Sequence, residues 1–186
     1  STFHAGERAP FPVSAYQTLD EWTSFLAKRI AVSRRIADAM PFKTRFISNF
    51  VEVPPLRQNS ANPRNISFAG RLSPEKGPDL FCEIAARLDG ELTFSAYGEG
   101  PMLEELRQSC DGKVSFMGFA PDMEAVWRRT RLLLMPSCNE GLPMAALEAM
   151  ARGIPVAAAA TGALPDVISH GVDGFLFPVG DVETAA

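Results

Sequence analysis

Short β-rich runs alternate with stretches of helical spacing from residue 65 to residue 178. The β-rich runs include NISFAG, LTFSAYG, VSFMGF, RLLLMPS, PVAAAA and GFLFP, and the helical stretches include PDLFCEIAARL, MLEELRQSC, DMEAVWRRT and PMAALEAMARG. The β-rich runs are nearly continuous in apolar character, as expected of strands that are covered on both faces. This βαβ rhythm predicts a doubly wound α/β domain built on a parallel sheet.

The first helical stretch of this rhythm indicates its own boundaries and its buried face. Pro78 lies near its start and Gly90 just beyond its end, which are the positions that these residue types favour. Apolar side chains recur on one face at helical spacing, at Leu80, Phe81, Ile84, Ala85 and Leu88. We expect this face to pack against the sheet.

The first 53 residues do not follow the rhythm. TLDE at residues 18–21 predicts a capping box that opens a helix to about Arg29, whereas IAVS and RFISNF predict strands. The segment PPLRQNSANPR, residues 54–64, is rich in Pro, Asn and Ser and predicts a linker. The expected organisation is a partial domain over residues 1–53, this linker, and the α/β domain over residues 65–186. Since about 50 residues are few for an independent α/β domain and DVETAA begins a helix, we expect both ends to be truncated.

Composition narrows the class of protein. The chain is 46% hydrophobic and 22% charged, which fits a folded globular protein. No apolar run reaches the roughly 18 residues of a membrane span, and STFHAGERAP lacks the pattern of a signal peptide, so we expect a cytoplasmic protein. Three widely spaced cysteines without a CxxC pair predict small core residues, neither a disulfide framework nor a zinc site.

The distribution of charge argues against a nucleic-acid partner. The formal net charge is -4, without the basic surplus that such a partner requires. Residues 1–60 hold 8 Lys/Arg and 5 Asp/Glu, a surplus of three positive charges. That surplus is compatible with a peripheral contact at the inner membrane surface through a partial N-terminal domain, although such a surplus is more often a solvated face.

The loops after the strands contain the candidate chemistry, because ligands of an open parallel sheet bind beyond the carboxyl ends of the strands. GRLSPEKG places Arg71 and Lys76 in a turn that is bounded by Gly70 and Gly77. Two cations beside a helix start suit a phosphate or diphosphate. The alternative is a pair of solvated loop cations.

The loop GEGP provides only half of a dinucleotide-binding fingerprint. Gly98 and Gly100 permit close backbone approach, and Pro101 is expected to start a helix. The third glycine is missing, which disfavours a nicotinamide cofactor. The chain contains no GxxxxGK[ST] and no DxD, which disfavours a P-loop ATPase and weakens any metal-diphosphate site held by carboxylates.

The stretch CNEGLPMAALEAMARG places two carboxylates on either side of a helix start. Glu140 precedes Pro143, the residue that we expect near the first helical position, and Glu148 follows about two turns later. A carboxylate in a mostly apolar helix requires a partner, and a ligand with a vicinal diol would suit it. The alternative is that Glu140 is a turn residue and that Glu148 pairs with a nearby Lys or Arg.

Together these motifs resemble one family. GRLSPEKG, YGEGP, VSFMGF, the E-x7-E glutamates, GIPVAAAATGALPDVI and HGVDGFLFPVGD occur in the order and approximate spacing of the donor-binding half of the retaining glycosyltransferases of family 4. The resemblance covers residues 65–183 and implies the Rossmann-like C-terminal half of a GT-B fold. STFH and IAVSRRIADAM resemble the closing part of that family's N-terminal, acceptor-side domain.

The resemblance implies roles for individual positions. It gives Arg71 and Lys76 the diphosphate, Glu140 the hydroxyls of the transferred sugar and Glu148 those of the ribose. His4 matches a histidine near the reacting centre, although a histidine at a strand end is more often structural. The implied donor-binding positions are Gly70, Gly98, Gly100, Met117, Gly118, Gly141, Leu142, Pro143 and Glu148, with the nucleobase near the backbone of Met117 and Gly118 and the diphosphate near the amides of Gly141 and Leu142.

The implied activity is that of a hexosyltransferase. It would transfer a sugar from a nucleoside diphosphate sugar, UDP or GDP for example, to an acceptor hydroxyl with retention at the anomeric carbon. Arg71, Lys76 and the helix start would replace the divalent cation of other transferases, so no metal and no other cofactor is expected. The fragment alone is expected to be inactive, because most of the acceptor site is absent. The sequence does not specify the nucleobase, the sugar or the acceptor, which could be a glycan, a lipid or a small molecule.

Two departures from the family pattern and two alternatives bear on this interpretation. SNFVEV stands where the family often has a PNGVD-like segment, and Ala163 stands where a second glycine is usual and could narrow the space beside the donor sugar.

A non-catalytic nucleotide-sugar-binding or interaction module would keep the fold without transfer. A nucleotide-sugar epimerase of similar fold would form product without an acceptor.

Overall fold

The structure is a computed structural model. It describes residues 2–3, 30–31, 37–38, 43–55, 63–88, 90–110 and 112–186. His4 and the predicted helix that opens at residue 18 lie outside these residues.

Two parallel sheets contain the described strands. The strands are β1 (Thr2–Phe3), β2 (Ile30–Ala31), β3 (Arg45–Phe46), β4 (Asn65–Ala69), β5 (Thr93–Tyr97), β6 (Val114–Gly118), β7 (Thr130–Met135), β8 (Val156–Ala159) and β9 (Gly174–Phe177). The described helices are α1 (Pro78–Arg87), α2 (Leu103–Ser109), α3 (Met123–Trp127), α4 (Met144–Met150), α5 (Leu164–Val167) and α6 (Val182–Ala185), and a 3₁₀ turn covers Pro74–Lys76. No helix among the described residues is both long and apolar enough to cross a membrane.

The larger sheet has six strands in the order β6-β5-β4-β7-β8-β9, all parallel. The chain starts in the middle at β4, runs outward to β6, and then returns to β7 on the other side of β4. In a sheet of this order the connections after β4 and β7 lead to opposite sides, and a crevice forms at the carboxyl ends of these two strands. The predicted doubly wound parallel sheet is confirmed.

Two hydrophobic clusters cover the two faces of this sheet. One packs α1 against β4 and β5 through Phe68, Phe81 and Phe94, whose neighbouring ring centroids are 5.6 and 6.1 Å apart. The other contains residues of α3, α4 and α5, including the buried Trp127 and Leu164. All four residues of β8 are buried, as predicted for a strand between two helical layers.

The predicted face of α1 is buried in its centre. Phe81, Ile84 and Ala85 are almost completely inaccessible to solvent. Leu80 and Leu88 are half-buried and pack against the same cluster. The hydrophobic spacing of this helix therefore located its packing face correctly.

The smaller sheet has the order β1-β2-β3 and is also parallel. The strand predicted from IAVS is confirmed over Ile30–Ala31, and the one predicted from RFISNF is confirmed over Arg45–Phe46. Residues 47–50 continue without strand structure. The boundaries at residues 53 and 64 stay a prediction.

The expectation that no disulfide forms was wrong. Cys82 of α1 and Cys110, directly after α2, form a disulfide with their Cα atoms 5.8 Å apart. The two cysteines are 28 residues apart in the sequence and meet because α1 and α2 contact each other on the same face of the sheet. Cys138 is a free, exposed thiol, so it is not the core residue that the sequence predicted.

Candidate functional site

The loops after β4 and β7 are hydrogen-bonded to each other at the carboxyl end of the sheet. The backbone N–H groups of Cys138 and Asn139 donate to the carbonyl oxygen of Glu75, at 2.9 and 3.4 Å. The loop GRLSPEKG and the loop that contains Glu140 are therefore in contact, although roughly 60 residues of sequence separate them. This contact places the predicted basic and acidic residues at one site.

The first of two adjoining crevices here is called the Lys76 crevice. It has a volume of about 200 Å³. Its lining consists of Phe68, Ala69, Gly70, Lys76, Leu134, Met135, Ser137, Glu140, Pro143, Met144 and Ala145. One cation and one carboxylate of the predicted site therefore lie in the same crevice.

Lys76 and Glu140 form an ion pair within this crevice. The Lys76 ammonium is 2.8 Å from Glu140 Oε2, and the Ser137 hydroxyl donates to Glu140 Oε1, also at 2.8 Å. The Glu140 side chain is only 5% exposed and that of Lys76 is 29% exposed. A buried carboxylate requires such partners, because its transfer out of water is unfavourable. Glu140 lies in a turn, but it is not a solvated turn residue.

A second cavity, the Arg71 crevice, adjoins the first and has a volume of about 480 Å³. Its lining consists of Ala69, Gly70, Arg71, Tyr97, Gly98, Glu99, Phe119, Ala120, Met123, Ala145 and Glu148. Ala69, Gly70 and Ala145 line both crevices. The four predicted charged residues, two cations and two carboxylates, therefore line two adjoining crevices.

Glu148 has a different partner from the one that the alternative interpretation predicted. The indole N–H of Trp127 donates to Glu148 Oε2 at 3.2 Å. Arg152 donates to the backbone carbonyl oxygen of Glu148, while its Nε binds the carboxylate of Glu124. Among the described residues, no ion pair includes the Glu148 carboxylate, so the alternative in which it pairs with Lys or Arg is not supported.

The two glycines of GEGP pack against the backbone of the GRLSPEKG loop. A Cβ on Gly98, which has φ +129°, would lie 1.9 Å from the carbonyl oxygen of Gly70. One on Gly100 would lie 2.2 Å from that of Leu72. Gly98 lines the Arg71 crevice, whereas Gly100 does not; its role in the structure is to let the two loops touch.

The helix after GEGP begins later than the sequence predicted. Leu103 is the first helical residue, and Pro101 and Met102 form a turn before it. The Met102 N–H donates to the carbonyl oxygen of Leu72 at 3.1 Å. The Met102 N–H, which has no acceptor within the helix because it lies at the helix start, is thus satisfied by the neighbouring loop.

The predicted nucleobase positions lie just beside the Arg71 crevice. Met117 is about half exposed, and Gly118 adopts φ +71° at the end of β6. Neither lines the crevice, but the next two residues, Phe119 and Ala120, do. Phe119 is 73% exposed, so its ring is available at the mouth of the crevice. Its position directly after β6 was the signal that could have identified it.

Of the predicted helix start at residues 141–143, only Pro143 lines the Lys76 crevice, and neither Gly141 nor Leu142 does. Pro143 is the N-cap of the seven-residue α4 and lines the crevice. The carbonyl oxygens of Gly141 and Leu142 accept hydrogen bonds from the Ala163 N–H and from the Asn49 side chain. Ala163 is buried and lines neither crevice, so the prediction that it narrows the sugar site has no support here.

Gly162 supports the turn that contains Glu140. It has φ +58°, and a Cβ there would lie 1.7 Å from the carbonyl oxygen of Glu140. Any side chain at this position would therefore displace the turn. Sequence reasoning missed this residue, and it also missed Ser137 and Trp127, which bind the two carboxylates.

Glu75 adds a negative charge between the two cations of the loop. The Ser73 hydroxyl donates to its carboxylate at 2.6 Å and lowers the pKa of Glu75, and a backbone hydrogen bond and the nearby Arg71 and Lys76 lower it further. Glu75 is therefore ionised at neutral pH. Within the described part of the chain, no group of three or more His, Cys, Asp or Glu side chains is arranged to hold a metal ion.

Comparison with known proteins identifies similar chains. The family model for glycosyl transferases group 1 matches residues 63–186. Sulfoquinovosyl transferase SQD2 of Arabidopsis thaliana is 30% identical over 165 residues, which cover 84% of this chain and 32% of that protein. The chain thus spans about a third of the length of curated relatives such as this one.

Solved structures of similar fold cover nearly the whole chain. Staphylococcus aureus TarM, in complex with fondaparinux, alpha-GlcNAc-glycerol and UDP, has a TM-score of 0.87 at 18% identity and covers 99% of this chain and 41% of its own. Anabaena HepE, in complex with UDP-glucose, has a TM-score of 0.79 at 25% identity, with coverage of 99% and 60%. These likenesses confirm the predicted fold class.

Proposed function

Because the chain belongs to the group 1 glycosyl transferases, we propose that it is part of a retaining, metal-independent hexosyltransferase of glycosyltransferase family 4. The donor is a nucleoside diphosphate sugar, and the acceptor is a hydroxyl group. The observation that carries the proposal is that the two predicted cations and the two predicted carboxylates line two adjoining crevices at the switch point of the sheet.

The donor occupies both crevices. The diphosphate lies near Gly70, which lines both of them, between Arg71 on one side and Lys76 on the other. Guanidinium and ammonium groups supply charge and hydrogen-bond donors to phosphate oxygens. The nucleoside extends into the Arg71 crevice and the sugar into the Lys76 crevice.

The carboxylates bind hydroxyl groups at the two ends of the donor. Glu148 lines the larger crevice and accepts hydrogen bonds from the ribose, and the exposed ring of Phe119 offers an apolar surface to the nucleobase. Glu140, already oriented by Ser137, accepts hydrogen bonds from the transferred sugar. The nucleobase is uracil in this proposal, because the similar HepE structure contains UDP-glucose.

The reaction needs electrostatic stabilisation more than a protein nucleophile. The bond from the anomeric carbon to the diphosphate breaks, and its electron pair leaves with the diphosphate. The acceptor oxygen bonds to the same face of the sugar, and its proton passes to a departing phosphate oxygen. Arg71 and Lys76 stabilise the charge that develops on the leaving group, which is the role of a divalent cation in other transferases.

Nucleotide binding tests this proposal. Isothermal titration of the chain with UDP, in the presence of EDTA, is expected to show binding that Arg71→Ala weakens by about 1–3 kcal/mol. Arg64→Ala is the matched control, since Arg64 lies before β4, at the opposite end of the strand, and pairs with Glu91. No binding to a folded chain, or equal losses in the two variants, would contradict the proposal.

Transfer itself is tested with the full-length protein. We expect the protein to transfer sugar from UDP-sugars to an acceptor in the presence of EDTA. The anomeric configuration of the product, axial or equatorial, should match that of the donor. Loss of all transfer on chelation would overturn metal independence, and an inverted linkage would overturn retention. Epimerised donor without any acceptor would favour the epimerase alternative. His4, the acceptor and any membrane contact stay predictions from the sequence.

A further inference from the structure

Two side-chain contacts join α3 to α4 and to the turn that follows α4, beside the Arg71 crevice. Trp127 of α3 donates to the Glu148 carboxylate of α4 at 3.2 Å. Glu124, one turn before Trp127, accepts from Arg152, one turn after Glu148, at 3.0 Å. The α3 helix is thereby held on the wall of the crevice by one neutral and one charged contact.

Trp127 fixes one oxygen of the Glu148 carboxylate. Trp127 is only 1% exposed, and a buried indole N–H requires an acceptor. Glu148 Oε2 is that acceptor. Glu148 Oε1 accepts no hydrogen bond from the described residues, and it is not buried, since no buried side-chain polar atom in the described part of the chain lacks a partner.

The hydrogen-bond donor to Glu148 is the uncharged indole of Trp127, and this affects what Glu148 can bind. An arginine in place of Trp127 could bind both carboxylate oxygens through two N–H groups and neutralise the negative charge. The indole has a single N–H and no charge. Trp127 therefore orients the carboxylate while leaving one oxygen and the full negative charge to a ligand in the crevice.

We infer that Trp127 is a positioning residue for ribose recognition, holding the Glu148 carboxylate in the orientation that accepts hydrogen bonds from the two ribose hydroxyls. This inference rests on the proposed function. It predicts that Trp127 contributes to a measurable quantity: the preference of the site for ribonucleotides over nucleotides that lack the 2′ and 3′ hydroxyls. A tryptophan that only fills the core would affect both kinds of nucleotide equally.

The test is titration calorimetry with Trp127→Phe, which removes the N–H and keeps an aromatic ring in the core. The probes are the nucleoside diphosphate that binds best among UDP, GDP and ADP, and its 2′,3′-dideoxy counterpart. We expect the preference of the wild type for the ribonucleotide to fall roughly five- to tenfold in Trp127→Phe, the size expected for a weakened hydrogen bond to a charged group. Affinity for the dideoxy nucleotide should change less than about twofold.

The outcomes separate this inference from the proposed function. A wild type that binds no nucleoside diphosphate, or that has no preference for the ribonucleotide, overturns the assignment of Glu148 to ribose. If Trp127→Phe keeps the preference of the wild type for the ribonucleotide, or loses the same affinity for both nucleotides, the inference on Trp127 alone is overturned. Arg152→Lys is the control for helix packing, since it keeps a cation beside Glu124 and does not touch the Glu148 carboxylate.

An NMR measurement keeps the inference testable if Trp127→Phe does not fold. The sequence contains two tryptophans, so two indole N–H signals are expected. Glu148→Gln should shift the signal of Trp127 and identify it. In the wild type, the ribonucleotide should then shift this signal and the dideoxy nucleotide should shift it less. Equal shifts by both nucleotides would overturn the inference.

Discussion

The Lys76 crevice contains one cation and one carboxylate, Lys76 and Glu140, whereas the Arg71 crevice contains one cation and two carboxylates, Glu99 and Glu148. Lys76 and Glu140 are in contact at 2.8 Å, and Glu140 is buried. Arg71 is exposed, and Glu148 is bound by the neutral Trp127 instead of by a cation. The first crevice therefore contains an ion pair that stabilises the loops, whereas the charges of the second are not paired with each other.

This difference implies that the charges of the Lys76 crevice contribute to stability, whereas those of the Arg71 crevice are available for binding. A ligand in the Lys76 crevice has to share or replace an existing ion pair, because Glu140 cannot lose its cation without a large desolvation penalty. A ligand in the Arg71 crevice meets an exposed guanidinium and a carboxylate with one open oxygen. Substitutions in the two crevices should therefore separate stability from affinity.

The largest expected effect on stability comes from Gly162, which contacts the turn that contains Glu140. Gly162→Ala places a Cβ 1.7 Å from the carbonyl oxygen of Glu140 at a φ of +58°. Steric overlap and backbone strain together should lower the free energy of unfolding by about 3 kcal/mol or more. Urea denaturation measures this change.

The control for Gly162 separates overlap from strain. Gly153 has a similar φ of +71°, but apart from its two chain neighbours no residue has an atom within 4 Å of the point that a Cβ would occupy there. Gly153→Ala should therefore lower the free energy of unfolding by only about 1 kcal/mol. Equal losses in the two variants would show that contact with the Glu140 turn is unimportant.

Removing a cation should distinguish the two crevices directly. Lys76→Ala leaves the buried Glu140 carboxylate without its ion-pair partner, so the free energy of unfolding should fall by about 1–3 kcal/mol, the cost of a buried acceptor that loses its donor. Arg71→Ala removes an exposed side chain and should change it by less than about 0.5 kcal/mol. Urea denaturation of both variants at neutral pH is the measurement, and similar losses would refute the comparison.

Neutralising Glu140 should sharpen the comparison on the binding side. Glu140→Gln keeps an acceptor for Ser137 but releases Lys76 from the ion pair. Affinity for UDP should then rise by about 0.5–1 kcal/mol, because the ammonium is no longer neutralised by a carboxylate. Affinity for the UDP-sugar should rise less, since the charged acceptor for sugar hydroxyls is lost. Calorimetry with both ligands tests this, and a parallel change for both would count against a sugar contact by Glu140.

The smallest effect is expected from Glu75, which lies in the loop between the two cations. Because the folded-state pKa of Glu75 is below its ordinary value of 4.5, its stabilisation is present above pH 4.5 and is lost as the pH falls through the folded-state pKa. Solvent screening should keep this contribution below about 1 kcal/mol. Melting temperatures of the wild type and Glu75→Gln should therefore converge as the pH falls below 4.5, and a constant difference would contradict the assignment.

Much of the fold was predictable because the signals were local. Continuous apolar runs such as RLLLM and the helical spacing at Phe81, Ile84 and Ala85 located strands and helices to within a few residues. The loop after a parallel strand must open at the carboxyl end of the sheet, so the position of Arg71, Lys76 and Glu140 beside the crevices could be predicted from the sequence. Ser137 and Trp127 were missed, because a serine and an apolar helix residue show no pattern of their own.

The sequence by itself determined the order of strands and helices and the loops in which the charged residues lie, since periodicity and turn residues act over a few neighbours. Only the tertiary structure decided the partners. Lys76 meets Glu140 across 64 residues, Trp127 meets Glu148 across 21, and Cys82 meets Cys110 across 28. These pairings depend on which strands are adjacent in the sheet and on which face each helix covers, and those choices are made by packing over the whole domain.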